Sequence, residues 1–246
     1  MSGAESYSKQ EMLISVAAEL LAGCRHVSIG TASPIPGAGA LLARSRSGGE
    51  MRVSLNGSVK NNFFTDGGVE LFDCAAQGRI DAFFLGGGQI DGKANINLIG
   101  TGSYPATKIR WPGSFGSAYL YFLVPRVILF REEHSRRVLV EKVDFVSAPG
   151  LSEPGVYRPG GPHALLTGLA LFDFDKERGR FRLSSVHPGS SLEEVLDNTG
   201  FAFDLPERIA TTRGPDAATL AQIRRGIRSE IAEVYPRFAA SAFLTA

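Results

Sequence analysis

Cysteine is almost absent from this chain. Cys24 and Cys74 are the only two among 246 residues, and they stand far apart. A disulfide framework is thereby excluded as the source of stability, and a reducing cytoplasm is the simplest home. Long apolar runs are missing too. The longest, Ala118 to Phe130, is interrupted by Pro125 and Arg126 and falls short of the ~20 residues that cross a bilayer. Met1–Gln10 carries no basic stretch followed by an apolar one, so no secretory leader is expected. Charge of one sign is lacking as well. Lys+Arg 26 against Asp+Glu 25 leaves a formal charge of +1, which gives no field to gather nucleic acid or an anionic membrane surface. The four histidines, His26, His134, His163 and His187, share no ligand spacing and have no cysteine or carboxylate cluster beside them, so a metal site is not expected.

What is present is the composition of an ordinary globular protein: 43% hydrophobic residues and 29 glycines. Met1–Gln10 is polar and reads as a flexible N-terminus, with a single domain over residues 11–246. Glu11–Gly23 carries Met12, Leu13, Val16, Leu20 and Leu21 near one helical face, and Gly23 stops it. Arg25–Thr31 reads as a strand, Ala38–Arg46 as a helix, Met51–Leu55 as a strand, Glu70–Gln77 as a helix and Ile80–Leu85 as a strand. Strands alternating with short helices predict an α/β fold with an open, largely parallel sheet and flanking helices. The nearly continuous run Asp81-Ala82-Phe83-Phe84-Leu85 fits a strand buried on both faces.

Further strands are expected at Val127–Phe130, Val138–Val140 and Val143–Val146, and a long Pro/Gly loop at Ser147–Pro162. A hairpin is expected from Ala164–Phe174 and Arg180–Val186. Ser190 and Glu193 have the spacing of a capping box, and Leu220–Tyr235 reads as a closing amphipathic helix.

Two glycine-rich segments are candidates for chemistry. Gly86-Gly87-Gly88-Gln89 leads into Asn95 and Asn97 at the carboxyl end of a strand, where open α/β sheets bind ligands. Gly87 and Gly88 allow close backbone approach, and Gln89 and Asn95 can donate and accept without charge. On loop chemistry alone, asparagines capping a tight turn are the stronger reading. The second segment is Trp111-Pro112-Gly113-Ser114-Phe115-Gly116-Ser117, whose amides could hold a thioester oxygen or a phosphate. Neither segment has the spacing of a P-loop or a dinucleotide fingerprint. No Gly-x-Ser-x-Gly elbow occurs. Cys74 reads as helix core, and His134 and His187 as loop residues. The mixed-sign run Arg131–Arg137 reads as a solvated turn, with one arginine available to a phosphate.

Four segments together resemble the beta subunits of class I CoA-transferases of the glutaconate CoA-transferase type. Gly88-Gln89-Ile90-Asp91-Gly92-Lys93-Ala94-Asn95-Ile96-Asn97 resembles that family's Gln-Val-Asp…Gly-Asn-x-Asn segment, with Ala94 where a glycine is usual. Pro112–Ala118 resembles its Pro-Gly-Ser-Gly-Gly-Ala loop, with Phe115 in place of a glycine. Arg137–Gly150 and Phe172–Phe203 resemble its later segments.

The resemblance implies an alpha-like partner subunit in a heterodimer or heterotetramer, an acyl-CoA substrate, and no tightly bound cofactor beyond the coenzyme A carried by that substrate. It also implies a nucleophilic glutamate in a Ser-Glu-Asn-Gly motif. Here the matching string is Ser54-Leu55-Asn56-Gly57, so Leu55 occupies the place of the missing glutamate, next to Asn56. Leucine cannot form the acyl anhydride and thioester that covalent transfer requires. Branches of the family without the glutamate resemble a decarboxylase of methylglutaconyl-CoA and a hydrolase that opens a steroid-derived ring. Such chemistry needs orientation, exclusion of water and stabilisation of an enolate oxygen. The amides near Gly116 and Ser117 suit the last task, and Leu55 with Phe63, Phe64 and Phe115 suits a dry pocket, although Phe63 and Phe64 read first as core. The expectation is a beta-like subunit acting on an acyl-CoA by decarboxylation or hydrolytic C–C cleavage. The alternatives are CoA transfer between carboxylic acids and a non-catalytic partner of an alpha subunit.

Overall fold

Helix α1 starts where the sequence first offers a cap. In the computed structural model, which describes residues 6–244, α1 spans Lys9–Leu20. The Ser8 side chain accepts from the Glu11 amide, and Glu11 returns a carboxylate to the Ser8 amide, a reciprocal cap that satisfies two helix-end donors. The helix therefore begins two residues before the expected Glu11. Of the segment expected to be flexible, Met1–Glu5 lies outside the described residues.

In chain order there follow β1 (His26–Ile29), α2 (Pro34–Arg46), β2 (Arg52–Leu55), α3 (Gly67–Ala76) and β3 (Ala82–Leu85). Two short hairpins come next, β4 (Gln89–Ile90) with β5 (Ile96–Asn97) and β6 (Gly100–Thr101) with β7 (Ile109–Arg110). Then come α4 (Ser117–Leu123), β8 (Arg126–Arg131), β9 (Pro162–Thr167), β10 (Ala170–Asp175), β11 (Arg180–Val186), α5 (Leu192–Asn198) and β12 (Ala210–Thr211). The chain closes with α6 (Ala217–Gln222), a π-helical turn at Ile223–Ile227, α7 (Arg228–Ile231) and α8 (Pro236–Ser241).

The chain divides into two compact units. The first comprises Met1–Thr65, Ile80–Ala82 and Arg213–Ala246. In it β1 and β2 pair in parallel, with Ile29 opposite Leu55. Helices α1 and α2 pack closely because Gly39 lacks a side chain: a Cβ there would come within 2.6 Å of Ala17 Cβ. Glu11 is fully buried, and its carboxylate takes the Arg224 guanidinium in two contacts, of 2.7 and 3.1 Å. This pair fastens the start of α1 to the π-helical turn.

The second unit comprises Asp66–Arg79 and Phe83–Thr212. Its strands run in the order β12-β11-β10-β9-β8-β3. The β8/β9 and β11/β12 pairs are parallel, whereas β9, β10 and β11 form an antiparallel meander. The fold is thus α/β with a mostly parallel sheet, as the alternation of elements predicts, and the meander is its antiparallel part.

Several expectations are corrected. Ala164–Phe174 is not one hairpin arm but two strands, β9 and β10. Val138–Val140 and Val143–Val146 form no strand. The first is joined only by a bridge from Leu139 to Ile90 in the two-residue β4, too short a neighbour to propagate a ladder. The cap of α5 is Ser191, which accepts from the Glu194 amide, rather than Ser190 with Glu193. The closing helix is interrupted by the π-helical turn and ends before Pro236.

His134 and His187 lie in loops, as expected, but their rings are buried. His134 bridges Thr167 Oγ1 and Thr199 Oγ1 at 2.8 and 2.9 Å. His187 Nε2 meets the Thr167 carbonyl at 3.0 Å, and its Nδ1 meets Thr212 Oγ1 at 2.8 Å. A carbonyl only accepts, so the Nε2 side of the ring donates to it. These two rings order the interior of the meander. Among the described residues no helix is long and apolar enough to cross a membrane.

Candidate functional site

Leu55 closes β2 and is fully buried. Its methyl groups lie against α2: a Cβ on Gly37 would stand 3.2 Å from Leu55 Cδ1, and 3.1 Å from Ile231 Cδ1 of α7. The absent side chain at Gly37 is what gives Leu55 its space. The next residue, Asn56, is exposed, and its amide donates to the Ile29 carbonyl at 3.0 Å, which extends the β1/β2 ladder by one bond. Gly57 follows with φ of 90°, a left-handed conformation that turns the chain away from the strand end.

A carboxylate that sequence reasoning missed holds this turn. Glu233 Oε2 accepts from the Ser58 hydroxyl at 2.7 Å, and Oε1 accepts from the amides of Val59 and Lys60 at 2.9 and 3.1 Å. These donors, the Ser58 hydroxyl above all, hold the Glu233 carboxyl below its usual range against an opposing desolvation. Because the folded value is depressed, the anchoring is present above the unfolded value near 4.3 and is lost as pH falls through the folded one. The partner of the turn lies 174 residues away in sequence, so no local spacing announces it. Replacing Glu233 with alanine should speed amide hydrogen exchange at Val59 and Lys60 at neutral pH. Unchanged exchange at both would show that the turn holds itself.

Phe64 lies near His26, with ring centroids 6.0 Å apart, and the His26 ring bonds Ser54 Oγ at 2.8 Å. Phe63 is not core as expected: it is 52% exposed, with the Arg52 guanidinium 5.1 Å over its ring.

The glycine segments belong to the second unit. There the first segment spends its polar groups on itself. Gln89 is buried; its Oε1 accepts from Asn97 Nδ2 at 2.7 Å and from the Asp144 amide at 3.0 Å, and its Nε2 donates to Asp144 Oδ2 at 3.2 Å. Asn95 Nδ2 donates to Asp91 Oδ2 at 3.1 Å, and its Oδ1 accepts from the Gly150 amide at 3.1 Å. Both side chains act as ties between turns, in line with the turn-capping reading.

Gly87 has no room for a side chain, since a Cβ would lie 2.8 Å from Ile96 Cγ2. Gly88 donates its amide to the Asn97 carbonyl at 2.9 Å, and the Trp111 ring occupies the place a Cβ would take. Trp111 thereby brings the two glycine segments together.

The second segment keeps amides in reserve. Among the described residues, the amides of Gly113, Ser114, Phe115 and Gly116 donate to no protein acceptor, whereas Ser117 donates to the Ser114 carbonyl at 2.8 Å. Of the two amides singled out for an enolate oxygen, the one at Gly116 is therefore unspent and the one at Ser117 is engaged. A Cβ on Gly116 would run into the Phe72 ring. Gly113 adopts φ of 104° with open space around it. The segment can present several backbone dipoles to an anionic oxygen without using a side chain.

Comparison with known proteins bears on these motifs. The profile described as Coenzyme A transferase matches residues 15–198. The B-type subunit of 3-oxoadipate CoA-transferase from Pseudomonas knackmussii is 34% identical over 153 residues, covering 60% of this chain and 58% of the relative. The cholesterol ring-cleaving hydrolase IpdB subunit of Rhodococcus jostii is 31% identical over 159 residues, covering 63% and 62%. The matches therefore span somewhat under two thirds of the length of these curated relatives. Among solved structures, glutaconate coenzyme A-transferase from Acidaminococcus fermentans superposes with a TM-score of 0.80 at 25% identity, covering 99% of both chains. A single-residue variant of the decarboxylase AibA/AibB superposes with a TM-score of 0.75 at 25% identity, covering 89% of this chain and 95% of the other. With the profile covering both glycine segments and the turn after β2, the chain belongs to the coenzyme A transferase family.

Proposed function

We propose that this chain is the beta-like subunit of a heteromeric cytoplasmic enzyme that acts on an acyl-CoA thioester by decarboxylation or hydrolytic C–C cleavage rather than by CoA transfer. The observation that carries this reading is Leu55: the residue in the motif position of the nucleophilic glutamate is apolar, fully buried and packed against Gly37. Covalent transfer needs a carboxylate that becomes anhydride and thioester in turn, and no atom of Leu55 can do this. The resemblance of the chain to a decarboxylase and to a ring-cleaving hydrolase as well as to transferases supports the same conclusion.

In this reading the alpha-like partner completes the enzyme, and coenzyme A enters only as part of the substrate. The thioester carbonyl accepts the electrons released when the C–C bond breaks. The unspent amides from Gly113 to Gly116 would stabilise the resulting enolate oxygen. Trp111 and Phe72 shape that segment, while Gln89 and Asn95 hold the turns beside it.

The test is chemical trapping. The assembled complex, incubated with an acyl-CoA and a free acid acceptor and then treated with hydroxylamine or borohydride, is expected to yield no modified carboxylate on this chain. A glutamyl-CoA adduct mapped here would overturn the proposal in favour of transfer.

A further inference from the structure

Phe115 combines two features that oppose stability. Its backbone has φ of 44°, in the left-handed region that disfavours residues with a Cβ, and its side chain is 90% exposed. The resembling loop carries glycine at this place, which would remove both. The ring nevertheless has aromatic neighbours. It lies 5.6 Å from the Phe72 ring, which in turn meets Tyr119 edge-on at 5.5 Å. Gly68, in the first turn of α3, leaves room for it, since a Cβ there would stand 3.3 Å from Phe115 Cζ. Val69 beside it is also exposed. The Phe115 ring thus has Phe72 beside it and is otherwise open, on the same segment whose amides donate to no protein acceptor.

We infer that Phe115 is a specificity-determining residue that covers the acyl group of the thioester and selects bulky apolar, ring-bearing acyl chains over short dicarboxylic ones; this rests on the acyl-CoA reading above. An apolar ring on the acyl chain would stack on this aromatic face, whereas a terminal carboxylate would lose hydration against it without gaining a partner. The partner subunit is the other occupant the open face could take, and the experiment separates the two.

The complex with the alpha-like partner is titrated with cyclohexanecarboxyl-CoA, glutaryl-CoA and free coenzyme A, for the wild type and for Phe115→Gly and Phe115→Asn, both of which tolerate the left-handed backbone. The wild type is expected to bind the cyclic thioester about tenfold tighter than glutaryl-CoA, the scale of one well-placed aromatic contact. Both variants should bring that ratio close to one, with assembly intact and the thermal midpoint raised or unchanged. An unaltered ratio, or a ratio near one in the wild type, would overturn the inference while leaving the acyl-CoA reading in place. Weakened assembly with an unaltered ratio would assign the ring to the partner and overturn it equally. Failure of all three ligands to bind the wild type would overturn the acyl-CoA reading itself.

Discussion

Placing glutamate at position 55 is expected to destabilise the first unit severely rather than to restore a transferase. Leu55 is fully buried, and its methyl groups face Gly37, which cannot compensate a charge. A carboxylate there is desolvated, and a buried uncompensated charge costs about 3–5 kcal/mol. That is a large part of the roughly 5–15 kcal/mol that stabilises a whole domain. The loss should depend on pH in a direction opposite to ordinary carboxylates. Burial raises the folded pKa of such a group, so the variant is least impaired in acid and loses stability as pH rises above the unfolded value. Leu55→Met, which conserves volume, should cost less than about 1.5 kcal/mol. Denaturant unfolding of the three proteins at acid and neutral pH measures both effects. A Leu55→Glu chain as stable as the wild type, or one that transfers CoA, would show that residue 55 does not belong to the core.

Removing Glu11 should do comparable damage by the opposite route. Its carboxylate is fully buried and takes the Arg224 guanidinium in two contacts while also returning the cap to the Ser8 amide. Arg224 side-chain exposure is only 12%, so the guanidinium cannot simply turn to water. Glu11→Ala is expected to cost about 3–5 kcal/mol, most of it from the cation left behind. The double variant Glu11→Met with Arg224→Met should recover much of the loss, because apolar residues of similar length need no compensation. A single variant within about 0.5 kcal/mol of the wild type, the level of an exposed pair, would show that the pair is solvated in solution. The pair joins residues 213 positions apart in sequence, which is why no periodicity or spacing reveals it.

Local features were legible without coordinates when their physics is local. The alternation of apolar strands with short helices, the Gly23 stop and the continuous apolar run of β3 each depend on neighbours within a few residues, and each appears near the expected place. The same holds for the motif around Leu55, whose loss of a carboxylate is a property of residue identity alone. The β-branched runs near Val138 and Val143 misled because a strand exists only when a second strand is present to accept its hydrogen bonds, and here β4 offers two residues.

The candidate site divides along the same line. From residue types and order alone the sequence determined the family resemblance, the α/β class and the absence of the nucleophile. Tertiary structure decided which polar groups remain available. Gln89 and Asn95 have side chains that could either bind a ligand or tie turns, and Asp144, Asn97, Asp91 and Gly150 take up their hydrogen bonds. Ser117 and Gly116 are adjacent in sequence, yet one amide is engaged by Ser114 and the other donates to no protein acceptor. Phe63 and Phe115 carry the same side chain as Phe172, which is fully buried, and both are exposed. Identity fixes what a group can do, whereas availability depends on which distant atoms arrive beside it, and only the folded chain brings those atoms together.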